Sequence, residues 1–487
     1  MADAASRPDA PAGAGKYRGK AVALAVAAAV GGFLFGFDSS VINGAVDAVQ
    51  GQFELSGVVT GLVVAVALLG SAVGAWLGGR LSDRWGRTRV MVLGAILFFA
   101  SSVLSAFAFA AWDLAIWRAV AGIGIGIASV IAPAYIAEIA PAAMRGRLGS
   151  LQQLAITLGI FAALLSDQLL ATSAGGASNE LWFGLEAWRW MFLVCVLPAA
   201  VYGILALRIP ESPRYLVAQG RRDEARAVLA DVLGADEDPD ERVAQIEQTI
   251  RTDAALADQA SLRGPVLGLL PVVWVGILLS VFQQFVGINV IFYYSTTLWQ
   301  AVGFEERQSF LISTITSITN VAVTFIAIAL IDKVGRRPLL LIGSAGMTVA
   351  LGTMALAFTH ASGTGENVSL DGSWGVIALV AANAFVVFFG ATWGPLVWVL
   401  LGEMFPNRIR AAALGVAASA QWIANFLITL SFPELLDRFG ATVPYLLYAG
   451  FALISFFFVL TKVPETKGVQ LEDMEGLKVR RGRDPRA

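Results

Sequence analysis

Stretches free of Asp, Glu, Lys and Arg recur along the chain at 21–37, 55–79, 90–112, 119–137, 148–166, 190–207, 266–304, 308–331, 338–365, 372–402, 411–433 and 439–461. A helix of about 20 apolar residues crosses a ~30 Å hydrocarbon layer, so the pattern predicts twelve membrane helices. The runs lack strict alternation and are too long for barrel strands, which leaves helices, whose backbone satisfies itself in lipid. The first run is short but continues through Asp38 to about Asn43, and the runs at 266–304 and 372–402 take in flanking loop. The expected fold class is an all-α integral membrane protein.

The longest polar interval, 209–264, divides the twelve runs six and six. Within it, 220–234 and 240–256 place Leu229, Val232, Val243, Ile246 and Ile250 at helical spacing among charges, which predicts short amphipathic helices. The expected organisation is a tail at 1–20, a six-helix unit at 21–208, the linker at 209–264, a second six-helix unit at 265–463 and a tail at 464–487. Loops after even-numbered runs carry Arg80, Arg84, Arg87 and Arg89, then Arg145 and Arg147, then Lys333, Arg336 and Arg337, then Arg408 and Arg410. Loops after odd-numbered runs carry mostly acids, among them Asp47, Glu54, Asp113 and Glu305. By the positive-inside rule both termini are expected in the cytoplasm, in the cell membrane.

Of the 487 residues, 57% are hydrophobic and 14% charged, against roughly 25% charged in a soluble domain. A soluble enzyme is excluded on that ground, and a net charge of -2 carries no signature for nucleic acid. Cys195 and His360 are the only residues of their types, so neither an intrachain disulfide nor a Cys/His metal cluster can form. No cofactor and no catalytic constellation is expected.

The two halves echo each other. The segment Asp83-Arg84-Trp85-Gly86-Arg87 is matched by Asp332-Lys333-Val334-Gly335-Arg336; Glu138 with Arg145 by Glu403 with Arg410; and Pro210-Glu211-Ser212 by Pro464-Glu465-Thr466. Three matched pairs in one order argue for duplication of a six-helix unit, a construction that secondary transporters use.

Together with Gly32-Phe33-Leu34-Phe35-Gly36-Phe37-Asp38, Pro133-Ala134-Tyr135-Ile136-Ala137-Glu138, Gln283-Gln284-x-x-Gly287-Ile288-Asn289, Tyr293-Tyr294 and Gly394-Pro395-x-x-Trp398, these motifs give the chain a family. It resembles the sugar porter family of the major facilitator superfamily from Gly31 to Gly468, most of all the bacterial proton/xylose and proton/hexose symporters. The resemblance implies two six-helix bundles rocking about a monosaccharide site, with the bilayer, a sugar and a proton as partners and a monomer as the working unit. D-xylose or a hexose such as glucose or galactose is the implied cargo. A facilitated-diffusion uniporter and a non-transporting sugar sensor are the alternatives.

Sugars present hydroxyls that donate and accept, and apolar ring faces, so their sites need carboxamides and aromatic planes. The family implies that Gln153, Gln283, Gln284, Asn289, Asn320, Trp398 and Gln421 contact sugar, with Phe35, Tyr293, Tyr294 and Trp422 as aromatic walls. Interhelical hydrogen bonding is the competing role for each amide, and helix packing for Phe35 and the tyrosines. At 1.5 Å per residue Asp38 lies ~27 Å along the first span and Arg118 ~9 Å into the fourth, at overlapping depths. An intramembrane carboxylate is costly unless paired or protonated. The family lends the pair a proton-coupling role, against which stands a fixed ion pair. It also implies a cytoplasmic gate of Arg80, Asp83, Arg84, Glu138, Arg145, Glu211, Asp332, Arg336, Arg337, Glu403, Arg410 and Glu465, latched when the inner face is shut.

Overall fold

A computed structural model describes residues 14–141, 145–233, 238–257, 262–362, 369–370, 372–405 and 409–465. Twelve of its helical spans are long and apolar enough to cross a membrane, as the charge-free runs predict. The first half contains α1 (Ala14–Gln52), α2 (Gly57–Trp85), α3 (Arg87–Ala106), α4 (Ala111–Ile139) and α5 (Arg145–Ala174). Its sixth span is made of α6 (Ala187–Val194) and α7 (Val196–Arg208), which meet at Cys195. The connecting segment forms α8 (Pro213–Ala218), α9 (Arg222–Val232) and α10 (Pro239–Ala257). They pack on one another through Leu216, Ala225, Leu229 and Val243 and leave their charged faces outward.

The second half opens with a seventh span broken twice, into α11 (Pro271–Phe285), α12 (Ile288–Tyr293) and α13 (Ser295–Ala301). The first break is at Gly287, whose φ of 82° suits glycine alone at low cost. There follow α14 (Glu306–Val334), α15 (Arg336–Phe358), α16 (Gly372–Phe388), α17 (Gly394–Met404), α18 (Arg410–Phe439) and α19 (Thr442–Lys462). A π-helical turn, Phe389–Trp393, joins α16 to α17, just before Pro395. Three two-stranded ribbons, such as Glu180–Trp182 with Leu185–Glu186, tie loops together.

The duplication seen in the loops recurs in the packing. In the first half α1 lies along α5, α2 along α4, and α3 along α6 and α7; in the second α11 lies along α18, α14 beside α16 and its π turn, and α15 along α19. Glycines let backbones touch where side chains would hold them apart: Gly70 and Gly74 of α2 stand against the α4 backbone at Ala119 and Ile123. The two bundles meet through α2 with α18, α5 with α14, and α1 with α12 and α13. We call the end carrying α8–α10 the linker face and the other end the far face.

Helix α4 begins at Ala111, in keeping with the depth expected for Arg118. Other helices run past the charge-free runs: α1 continues to Gln52, so Asp47 is inside a helix and not in a loop, and α5 continues past Asp167 to Ala174. Asp47, partly buried, and Asp167, fully buried, have partners inside the protein, and a charge with a partner need not mark a membrane boundary.

Candidate functional site

The break at Gly287 turns Asn289 back toward the end of α11, and a chain of four carboxamides results. Asn289 Nδ2 donates to Gln284 Oε1 at 2.6 Å, and Gln284 Nε2 donates to Gln283 Oε1 at 3.3 Å. Gln421 Nε2 of α18 donates to the same Gln283 oxygen at 2.7 Å. Gln283 Nε2 closes the chain on the carbonyls of Trp393 and Gly394, each at 3.0 Å. The π turn positions those two carbonyls, and the buried Trp393 indole is itself held by Leu340 O and Ser344 Oγ.

Gln283 is thereby saturated, while Gln421 Oε1 is buried with no partner. An acceptor left open at the end of a polarised amide chain is what a ligand hydroxyl would fill. Trp422, the next residue of α18, faces Phe35 of α1 across the bundle interface with ring centroids 6.1 Å apart. Asn320 is buried on α14 opposite Gly390 of the π turn. Tyr293 is buried on α12. Trp398 is 44% exposed, and Gln153 is exposed as well, whereas its neighbour Gln152 is buried against Gly32 with both amide atoms unpartnered.

The Tyr294 hydroxyl donates to Thr429 O at 3.0 Å and its ring packs on Phe432 at 5.2 Å, which fastens the seventh span to α18, the helix-packing role given above as its alternative.

In the first bundle Arg118 Nη1 donates to Asp38 Oδ2 at 3.1 Å and to Asp38 O at 3.3 Å. Both side chains are almost wholly buried, and Arg118 Nε has no partner. A buried pair held by one nitrogen is cheaper to part than a bidentate one.

At the linker face the charged groups form two matching clusters. Arg87 binds both oxygens of Glu138 at 3.0 Å; Glu138 also accepts from Ser212 Oγ; and Glu211 accepts from the backbone N–H of Arg87 at 2.9 Å and of Thr88 at 3.2 Å. In the second bundle Arg336 binds Glu403 at 2.8 and 3.2 Å, and Glu465 accepts from the N–H groups of Arg336 and Arg337 at 3.0 and 3.1 Å. Gly86 and Gly335, with φ of 94° and 107°, turn the chain into each cluster.

The ion pairs seen here, Arg87 with Glu138 and Arg336 with Glu403, each lie within one bundle. Arg80 lies over the Trp76 ring at 4.0 Å, Asp83 reaches Arg87 at 3.3 Å from an exposed position, and Arg84 is exposed. The side chains of Arg145, Asp332 and Arg410 lie outside the described residues.

The far face, by contrast, is sewn shut between bundles. Thr296 donates to Asn43 through N–H to Oδ1 at 3.1 Å and through Oγ1 to the carbonyl at 2.7 Å. Asp47 accepts from Thr297 Oγ1 at 2.6 Å and Gln300 Nε2 at 2.8 Å. Glu306 accepts from the Ala177 N–H at 2.8 Å, and Gly61 of α2 rests on the Leu430 carbonyl of α18.

The model of the family described as "Sugar (and other) transporter" matches residues 24–477. The chain belongs to that family. This family member is 55% identical over 450 residues to a glucose transport protein of Synechocystis, covering 92% of this chain and 95% of the relative. It is 34% identical over 487 residues to the D-xylose-proton symporter of Escherichia coli, covering 93% and 95%. Its structure matches the inward open conformation of the E. coli xylose transporter XylE with a TM-score of 0.79 at 33% identity, over 94% of this chain and 99% of that one.

Sequence reasoning missed Arg87 as the hub of its cluster, Trp393 as the source of a carbonyl acceptor, and the whole far-face seam. The first was legible, since Arg87 and Arg336 occupy the same place in the repeated loop. The second is a backbone carbonyl; in the third Asp47 and Glu306 were visible only as acids, and their Thr, Gln, Asn and backbone partners are flagged by no charge pattern.

Proposed function

We propose that the protein imports a monosaccharide with a proton by alternating access, and that glucose is its first candidate cargo. The observation that carries this reading is the carboxamide chain of α11, α12 and α18 ending at the unpartnered Gln421 Oε1, next in sequence to Trp422, which pairs with Phe35 of the other bundle. It offers donors, an acceptor and aromatic planes at the interface of two bundles, as a sugar requires. The 55% identical relative, named for glucose transport, supports the hexose; the relative named as a xylose-proton symporter supports the coupling ion.

Asp38 and Arg118 supply the proton step. Paired with Arg118, the Asp38 carboxylate is stabilised in its ionised form; freed from that cation, it takes up a proton. The arginine-rich loops support the linker face, and with it both termini, in the cytoplasm. On that orientation the sealed far face is external and the conformation is inward-open. Gln153 and Trp398, exposed here, then belong to the wall of the inward-facing cavity.

The test is uptake of a labelled sugar panel by proteoliposomes with and without an imposed pH gradient, for the parent and Asp38→Asn. The parent accumulates its cargo uphill only with the gradient, and Asp38→Asn exchanges sugar without accumulating it. Equilibration that ignores the gradient in the parent would make the protein a uniporter, and no entry of any monosaccharide would reject transport altogether.

A further inference from the structure

A carboxylate outside the sugar and proton sites lies one helix away from Asp38. Asp167 of α5 is fully buried; its Oδ2 accepts one bond, from the Gly44 N–H at 3.3 Å, and its Oδ1 has no partner. Gly36, Ser40 and Gly44 follow at four-residue spacing on one face of α1. Gly36 abuts Ile156 and Ile160 of α5 and Gly44 abuts the Asp167 side chain, which places Ser40 against the same stretch of α5. Ser40 Oγ is buried and unpartnered too, and so is Asn43 Nδ2.

No cation answers this acid among the described residues. On the elements packed against α5, Asp38 is held by Arg118, Asp47 by Thr297 and Gln300, and Lys20 by Asp231. Glu138 is held by Arg87, Asp113 by Trp117 and the Phe109 N–H, Arg189 by Glu186, and Glu306 by the Ala177 N–H. Glu180 and Arg307 are exposed, and Cys195 lies against Ser102. A bare carboxylate without cation or water is strongly disfavoured in such a place, and a proton both removes its charge and supplies a donor for a neighbouring oxygen such as Ser40 Oγ.

Helix α1, which meets Asp167 at Gly44, also seals the far face through the residues around Gly44. Asn43 and Asp47, on either side of Gly44, make the bonds to Thr296, Thr297 and Gln300 of the other bundle. Parting that seam removes the bonds that hold this stretch of α1 to the other bundle.

We propose that Asp167 is a second proton-binding site, loaded from the external medium as the outer halves of the bundles close on α1 and emptied to the same side as they part. Closing converts carboxylate and hydronium into carboxylic acid and water, and opening reverses it. The proton gates the outer face and is not itself transported. The inference rests on the transport reading for the direction of the cycle.

Spin labels placed across the far face of the full-length protein in nanodiscs, in an Asp38→Asn background, report the closed-to-open ratio by pulsed distance measurement. Between about pH 5.5 and 8.5 the ratio should fall about tenfold per unit rise in pH, the slope of one linked proton above the ordinary carboxylate range. Asp167→Asn should abolish that slope. A parent ratio flat with pH, or a slope that survives Asp167→Asn, overturns the proposal. Independently of any substitution at Asp167, the infrared spectrum of the closed state should contain the C=O band of a buried protonated carboxyl, and its absence overturns it as well. Sugar binding by calorimetry on the parent sequence separates the two readings, because its loss would reject transport while leaving the pH slope in place.

Discussion

Gln283 uses both amide hydrogens and its carbonyl oxygen on protein partners, so its contribution to a sugar site is to hold its neighbours still. Truncation would strand Gln421 Nε2, Gln284 Nε2 and two carbonyls, at about 1–3 kcal/mol for each buried group left unpaired. Gln283→Ala should therefore bind sugar roughly a hundredfold more weakly by calorimetry, since that much follows from only two such groups, while still inserting into the membrane. Binding at parental strength would place the site elsewhere. The amides were legible in the sequence because a carboxamide in an apolar run is conspicuous by its cost. Asp47, Arg118 and Asp167 were harder to place because a search for charge-free runs treats every ionisable group as an edge. The run 148–166 stops one residue short of Asp167, and 119–137 starts one residue after Arg118. Such a search turns the most informative buried charges into boundaries.

Among the elements, the helix ends at the linker face show most plainly how the duplication works. Gly86 closes α2 and Gly335 closes α14, each with positive φ and ψ near 160°, a region costly to any residue with a β-carbon. Each then hands an arginine to a glutamate of its own bundle, and a second glutamate caps the next helix at its unsatisfied N–H groups. Gly335→Ala should cost about 2 kcal/mol of stability from backbone strain alone. Its β-carbon would also crowd Glu465. Gly86→Ala should cost a similar amount, because Glu211 stands in the equivalent place. Thermal unfolding in detergent reads both, and a parental melting temperature for either would contradict the strained geometry. The loops that carry these glycines were visible as repeats, but that their charges pair within each bundle was not, since spacing gives register and not the partner in space. The π turn had no sequence signature beyond the glycine and proline around it.

For the whole molecule, the governing fact is that the far end of the bundle interface is bonded across from one bundle to the other. Twelve spans in two sets follow from hydrophobic run length, which is why the architecture was readable; which end is closed depends on a balance of a few hydrogen bonds, which was not. Thr297 provides one of the two side-chain bonds that Asp47 accepts across the seam. Thr297→Val removes a bond to a charged acceptor, about 1.5 kcal/mol, and should shift the population roughly tenfold toward an open far face. Paired cysteines introduced there can be labelled selectively, because the native Cys195 is buried. A labelling rate equal to that of the parent would remove Asp47 from the seal.

The way α2 meets α18 adds one more consequence. Gly57 touches the other bundle at the Asp437 side chain and the Glu434 backbone, and Gly61 at the Leu430 backbone, with no side chain of their own to mesh. Surfaces of that kind part and reseat like a ground valve against its seat: nothing must be threaded back between teeth, so each stroke can be quick and end in the same place. A bulky group at Gly61 would act as grit under the valve, wedging the far face ajar while leaving the carboxamide chain untouched.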